Sequence, residues 1–385
     1  MNQLKNKKLL SLVAVVALGA GLAACGGSGS ASDTTTASGG TTPTGASTLS
    51  GSGSTFVWNI VDSCRAAYSK SSVANPSTDV VSYSGGGSGT GKSNFSDATG
   101  TPTVQWAATD SIYSSNTPKS SFVYVPLVAG AISVMYHVEG VQPANSPIQL
   151  SPLTIGKIFS GQITSWDDAD IKADNAVGKI LTLPATPIRV YYRSGTSGTT
   201  NNFTKFLNLA AGSIWTNSAN DAFTTAFPGT ITNFAHILSA AGSDGVANNV
   251  RDNNGGITFV EQSYVEERKD AAKGIDSASV KNNAGVYVAP SAASTGSFYA
   301  EAAVDASGVI TPDYTMKAAD AYLINAVSYG VGYTASSTVN AAVRSWFTYF
   351  VGTCAPETAA AAFYAPLTGA LKDKALVQAA LVGKS

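Results

Sequence analysis

The stretch from Ile188 to Ala210 constrains this chain more than any other. Ile188-Arg189-Val190-Tyr191-Tyr192 reads as an apolar strand, and Phe203, Phe206, Leu207 and Ala210 recur behind it at helical spacing. Between them stands Arg193-Ser194-Gly195-Thr196-Ser197-Gly198-Thr199-Thr200. A strand that ends in an arginine and turns through small hydroxyl residues into a helix is one α/β unit. The first N–H groups of a helix have no partner within it, and the dipole there favours negative charge. Hydroxyls and a guanidinium at that corner could hold a tetrahedral oxyanion. Taken alone, the segment is equally an ordinary polar turn with an N-cap.

The rest of the chain repeats the pattern. Gly51-Ser52-Gly53-Ser54-Thr55-Phe56 precedes a helical stretch over 56–68, with Val57, Ile60, Val61, Cys64, Ala67 and Tyr68 on one face. Strands are expected over 79–83, 104–108 and 256–260, and a long apolar β-rich stretch over 122–136 contains Pro126. Helices are expected over 152–159, 201–211, 343–351 and 370–381. Strands alternating with helices predict an α/β architecture with mostly parallel sheets.

Composition narrows the function. The chain has 385 residues, is 44% hydrophobic and only 12% charged, with a formal net charge of −1. An average soluble domain carries about 25% charged residues, so neither a nucleic-acid footprint nor a polybasic membrane patch is present. His137 and His236 are the only histidines and lie far apart, which gives little support to a histidine metal site or a Ser-His-Asp triad.

The first residues read as an export signal. Lys5, Lys7 and Lys8 precede an apolar run from Leu9 to Leu22 that is short for a membrane span. Leu22-Ala23-Ala24-Cys25 resembles a bacterial lipobox, which implies removal of residues 1–24 and lipidation of Cys25. A Gly/Ser/Thr-rich tether over 25–48 follows. Two cysteines remain, Cys64 and Cys354. An even pair in an oxidising compartment suggests a disulfide, with two separately buried thiols as the alternative.

One motif misleads. Gly86 to Ser93 satisfies the pattern G-x-x-x-x-G-K-[ST] behind a strand. A P-loop needs an apolar helix next, and Asn94-Phe95-Ser96-Asp97-Ala98-Thr99-Gly100-Thr101-Pro102 does not supply one. Asp110 follows Val104-Gln105-Trp106-Ala107-Ala108-Thr109 at an expected strand end. A carboxylate in an anion pocket makes sense when the ligand carries a proton. Monohydrogen phosphate can donate one to Asp110, whereas sulfate has none to give at neutral pH.

The order of these motifs resembles the phosphate-binding lipoproteins of bacterial phosphate ABC transporters, the PstS family. Gly51 to Phe56 is similar to its first phosphate loop, Tyr83 to Ser88 to its second, and Ala108-Thr109-Asp110 to its aspartate loop. Ile158 to Asp168 is similar to its F-x-G-x-I-x-x-W-D stretch, and Arg193 to Thr199 to its R-x-D-x-S-G-T loop. Gly242 to Val246 and Gly256 to Glu261 also resemble family segments. Gly195 stands where that family places an aspartate, so the carboxylate brace expected for the arginine is missing or supplied elsewhere.

The resemblance implies a type II periplasmic-binding-protein fold, α/β and two-lobed, with hinge strands between the lobes. Lobe one would be 49–133 with 323–385, and lobe two 134–322. The phosphate ligands it implies are Thr55, the Phe56 amide, Ser88, Asp110, Arg193, Ser197, the Gly198 amide and Thr199. It further implies a monomeric, non-enzymatic carrier without cofactor or metal. That carrier would be lipid-anchored outside the cytoplasmic membrane and would deliver phosphate to ABC permease subunits with their ATPase. The alternative is an exported phosphatase-like enzyme on the same scaffold, or a binder of a related oxyanion.

Overall fold

The computed structural model describes residues 48–71, 80–142, 146–176 and 181–385. The stretch read as an export signal, Cys25 and the residues read as a tether up to residue 47 lie outside them. The strands and helices that bear on the site are β1 (Thr48–Gly53), α1 (Trp58–Tyr68), β2 (Val80–Gly86), α2 (Ser88–Phe95), β3 (Trp106–Thr109) and β4 (Phe122–His137). After them come β5 (Gln149–Leu150), α3 (Pro152–Phe159), α4 (Ala169–Asp174), β6 (Arg189–Arg193) and α5 (Gly198–Ala210). Next are α6 (Phe223–Ala226), β7 (Ile237–Ala240), α7 (Gly242–Asp252) and β8 (Gly256–Glu261). A late strand, Asn325–Tyr333, returns to the centre.

The main sheet runs β2-β1-β3, the late strand, β4, β8, β6, β7. Its two ends are parallel: β1 with β2 and β3, and β6 with β7 and β8. Its centre is antiparallel, the late strand pairing with β3 and β4, and β4 with β8. The expectation of mostly parallel sheets is corrected there. A chain that passes from one half of the sheet to the other and later returns lays its two crossing strands in opposite directions.

β4 is the beam between the halves. Residues 122–131 pair with the late strand, and Ile132 to Tyr136 pair with β8. Flanked along its length, it is buried almost throughout, which accounts for a run of apolar residues without alternation. Pro126 has no N–H to give the ladder, and the register shifts beside it, between Ser328 and Tyr329. The fold is thus α/β and two-lobed, one lobe on each half of a curled sheet.

Packing fixes the helices that face the site. Phe203 of α5 stacks on Phe259 of β8 at 4.3 Å between centroids and meets Phe159 of α3 at 4.8 Å. Tyr83 stacks on buried Trp106 at 5.1 Å. Cys64 of α1 is disulfide-bonded to Cys354, so the alternative of two separate thiols is set aside. α1 begins at Trp58, two residues after the expected start, because residues 55–57 turn towards the site first. Among the described residues, no helix is long and apolar enough to cross a membrane.

Candidate functional site

β1, β2, β3, β6 and β7 all point their C-terminal ends at one place, as ligand sites of open α/β sheets do. Helices α1, α2, α5 and α7 start there. The first turns of α1, α2 and α5 hold no acidic residue, so their positive dipole ends meet no carboxylate of their own.

Asp110 follows β3 and is 4% exposed. Its Oδ2 accepts hydrogen bonds from Ser54 Oγ at 2.7 Å, Ser88 Oγ at 3.3 Å and Thr199 Oγ1 at 3.5 Å. Its Oδ1 accepts from Ser328 Oγ at 2.9 Å. Burial pushes the carboxyl up to about 6, against the pull of the Ser54 and Ser328 hydroxyls and the Arg193 charge. The bonds from Ser54 and Ser328 have ordinary O–H···O lengths, while those from Ser88 and Thr199 are long. The first two hold the carboxylate; the other two hydroxyls can turn to a guest with little loss.

Arg193 ends β6 and is 3% exposed. One Nη1–H donates to Ser243 Oγ at 3.2 Å, and its buried Nε has no partner. Burial lowers the guanidinium to about 10, with the Asp110 charge acting the other way, so it stays charged at neutral pH. No carboxylate forms an ion pair with it among the described residues. Gly195 lies in open space, and the brace expected from a family aspartate is replaced by the Ser243 hydroxyl.

The lobes touch across the site. Thr55 Oγ1 lies 2.9 Å from Ser243 Oγ and accepts from the Ser243 N–H at 3.2 Å. Gly89 N–H donates to Thr196 O at 3.3 Å. A Cβ on Gly198 would stand 2.6 Å from Ser88 Oγ and 2.7 Å from Asp110 Cβ, so only glycine allows this approach. Gly87, at φ +98°, likewise passes the Thr196 carbonyl, which a Cβ would meet at 2.7 Å.

Of the residues singled out from sequence, Ser88, Asp110, Arg193, Gly198 and Thr199 converge, with Thr55 reaching them through Ser243. Ser197 is buried and caps α5, its Oγ accepting from Thr200 N–H at 3.3 Å. The Phe56 amide donates to Ser54 Oγ at 3.1 Å in a tight turn of its own loop.

Ser54, Ser243 and Ser328 were missed. The first two sit inside segments already noted, and the third is a lone hydroxyl in an apolar strand. Two tyrosines were also missed. Tyr83 donates to Ser54 O at 2.7 Å and Tyr264 to Thr55 O at 2.8 Å, gripping the first loop by its carbonyls from both lobes. After the P-loop look-alike no helix runs over residues 96–102. Its own residues form α2, and Lys92 bonds to Ser111 Oγ, Ile112 O and Asp221 Oδ2 at 2.8–3.0 Å. No cluster of three His, Cys, Asp or Glu suited to a metal occurs among the described residues.

The PBP superfamily domain matches residues 35–353, and the chain belongs to that superfamily. Its curated relatives include phosphate-binding protein PstS of Xylella fastidiosa, 27% identical over 70% of this chain and 65% of that one. Phosphate-binding protein PstS 2 of Mycobacterium tuberculosis is 31% identical over 63% of this chain and 62% of its own. The chain spans just under two thirds of the length of these two relatives. Among solved structures, a high-affinity periplasmic phosphate-binding protein bound with phosphate (PfluDING) superposes with a TM-score of 0.65. It is 24% identical, over 85% of this chain and 92% of that one. A phosphate-binding protein from Stenotrophomonas maltophilia gives 0.62 at 21% identity, over 86% and 93%. These superpositions agree on the fold, and the relatives agree with the resemblance read from the loops.

Proposed function

We propose that this chain captures inorganic phosphate outside the cytoplasm and delivers it to an ABC permease, without chemistry of its own. One observation carries the reading. A buried arginine with no ion-pair partner and a buried carboxyl with a raised pKa lie near enough for each charge to act on the other, among hydroxyls and helix starts. A buried guanidinium with no carboxylate in direct contact is costly, and an anion relieves it. A carboxylate beside that anion is tolerable only with a proton between them, which monohydrogen phosphate brings.

In this reading Arg193, Ser88, Thr199, Ser197, Thr55 and the Gly198 amide donate to phosphate, and Asp110 accepts its proton. The Phe56 amide would have to leave Ser54 to join them. The lobes would be 49–133 with 323–385, and 134–322, and phosphate favours their contact because it touches both only there. The names of the relatives support phosphate as the ligand. The lipobox-like Cys25 supports a monomer tethered by lipid to the outer face of the membrane.

Calorimetric titration of the full chain with phosphate, arsenate and sulfate is the test. Tight binding of phosphate with sulfate excluded is expected. No heat with phosphate, or equal affinity for sulfate, would overturn the assignment.

A further inference from the structure

We propose that Lys92 and Asp221 form a latch that closes the lobes independently of ligand and thereby sets how tightly the ligand is held; the second half of this statement rests on the phosphate reading. Lys92 lies on α2 in the first lobe, and Asp221 in the connection between α5 and α6 in the second. Their side chains, 10% and 16% exposed, meet at 2.8 Å.

Each partner is held ready by its own lobe. The Lys92 ammonium has three protons: Ser111 Oγ and the Ile112 carbonyl take two, and Asp221 takes the third. Asp221 Oδ1 accepts from Asn201 Nδ2 at 2.9 Å, and its main-chain carbonyl accepts from Ser197 N–H at the same distance. Only the Lys92 bond and one from Ser111 Oγ, at 3.0 Å, reach Asp221 from the other lobe. Closing therefore immobilises little that was free, which lowers the entropic cost of forming the pair.

The latch is attached to the site at both ends. Ser111 adjoins Asp110, and Ser197 caps the helix that carries Gly198 and Thr199. Lys92 lies one helical turn beyond Ser88 on α2. The lysine that satisfies a nucleotide-loop pattern in the sequence is thus committed to a carboxylate, with no donor left for a phosphate.

The test uses the full chain with Ala66→Cys and Thr224→Cys spin-labelled, one on each lobe, to read lobe separation, and calorimetry to read phosphate affinity. Lys92→Met, Asp221→Asn and their double variant are compared. Longer ligand-free separations are expected in both single variants, with phosphate affinity lowered roughly 10- to 100-fold. The double variant, which leaves no unpaired charge and is the safest to fold, should bind no more weakly than the poorer single. Lys92→Arg should stay near wild type. Unchanged separations in both single variants, or losses that add in the double, would overturn the latch. Should the parent chain bind no phosphate, the ligand-free separations still decide the matter, so the two readings fail separately.

Discussion

The two sides of the buried centre are unequal. Asp110, on the first lobe, is served by three hydroxyls of that lobe and by Thr199 of the second. On the second, Arg193 has one serine, an unpartnered Nε and no carboxylate. Asp110 is well served by donors, and Arg193 has donors to spare. On the proposed reading such a site is complete only with an anion, and the carboxylate beside it would select for one that carries a hydrogen. On the same reading weak formal charge can serve an anion binder, because one buried guanidinium and several helix starts act where burial reduces screening by water.

Changes on the arginine side should act most strongly. Arg193→Met should weaken phosphate by about 100-fold or more, since it removes charge-assisted donors, yet raise the ligand-free thermal midpoint by removing an unpaired buried charge. A calorimetric titration beside a melting curve reads both, and a midpoint that falls would mean the arginine is already satisfied. On the other side, Asp110→Asn should cost phosphate about tenfold and admit sulfate. Sulfate still excluded by that variant would remove the carboxylate from the selectivity argument.

Gly198→Ala tests how closely the two sides approach. Its methyl would press on Ser88 and Asp110. Phosphate should weaken roughly tenfold, with the ligand-free midpoint little changed because opening relieves the clash. An equal loss of stability would place the effect inside α5 and away from the seam.

A second buried carboxyl sharpens the comparison through pH. Glu261 ends β8, accepts from the Ser263 N–H at 2.9 Å and from its hydroxyl, and burial pushes it from 4.5 up to about 8. Between those values the unfolded chain is ionised while the folded chain keeps its proton. The native state then binds more protons, so stability falls as pH rises through that window and levels off above it. Asp110 adds a similar fall between 3.8 and about 6. Glu261→Gln should flatten the upper part of the decline in urea denaturation measured from about pH 6 to 9. Parallel curves for the two proteins would mean that this carboxyl does not titrate there.

The smallest effect is expected at Gly195. Restoring the family carboxylate with Gly195→Asp places a side chain in open space beside an arginine already held by Ser243. Phosphate affinity should change by less than about threefold, as for exposed charge pairs. A large gain would show that Ser243 holds the arginine poorly.

Much of the candidate site was legible because it is local. Strand, turn and helix signals adjoin in Ile188 to Ala210, so Arg193, Ser197, Gly198 and Thr199 could be assigned to one corner before any coordinates. Asp110 was legible from its place at a strand end. Ser54 and Ser243 were in view but unassigned, since a hydroxyl in a small-residue loop carries no mark of which way it faces. Ser328 and Tyr264 were invisible, each being an unremarkable residue of an element distant in sequence.

By itself the sequence determined the α/β alternation, four small-residue loops at strand ends, one arginine and one aspartate among them, and an even pair of cysteines. These follow from short-range periodicity and from backbone demands met within a few residues. Only the tertiary structure decided that the sheet centre is antiparallel, that Phe56 turns its amide to Ser54, that Ser243 replaces the missing brace, and that Lys92 faces Asp221. Each is a pairing between segments tens to hundreds of residues apart, and the chain records such a pairing only as two separately compatible halves.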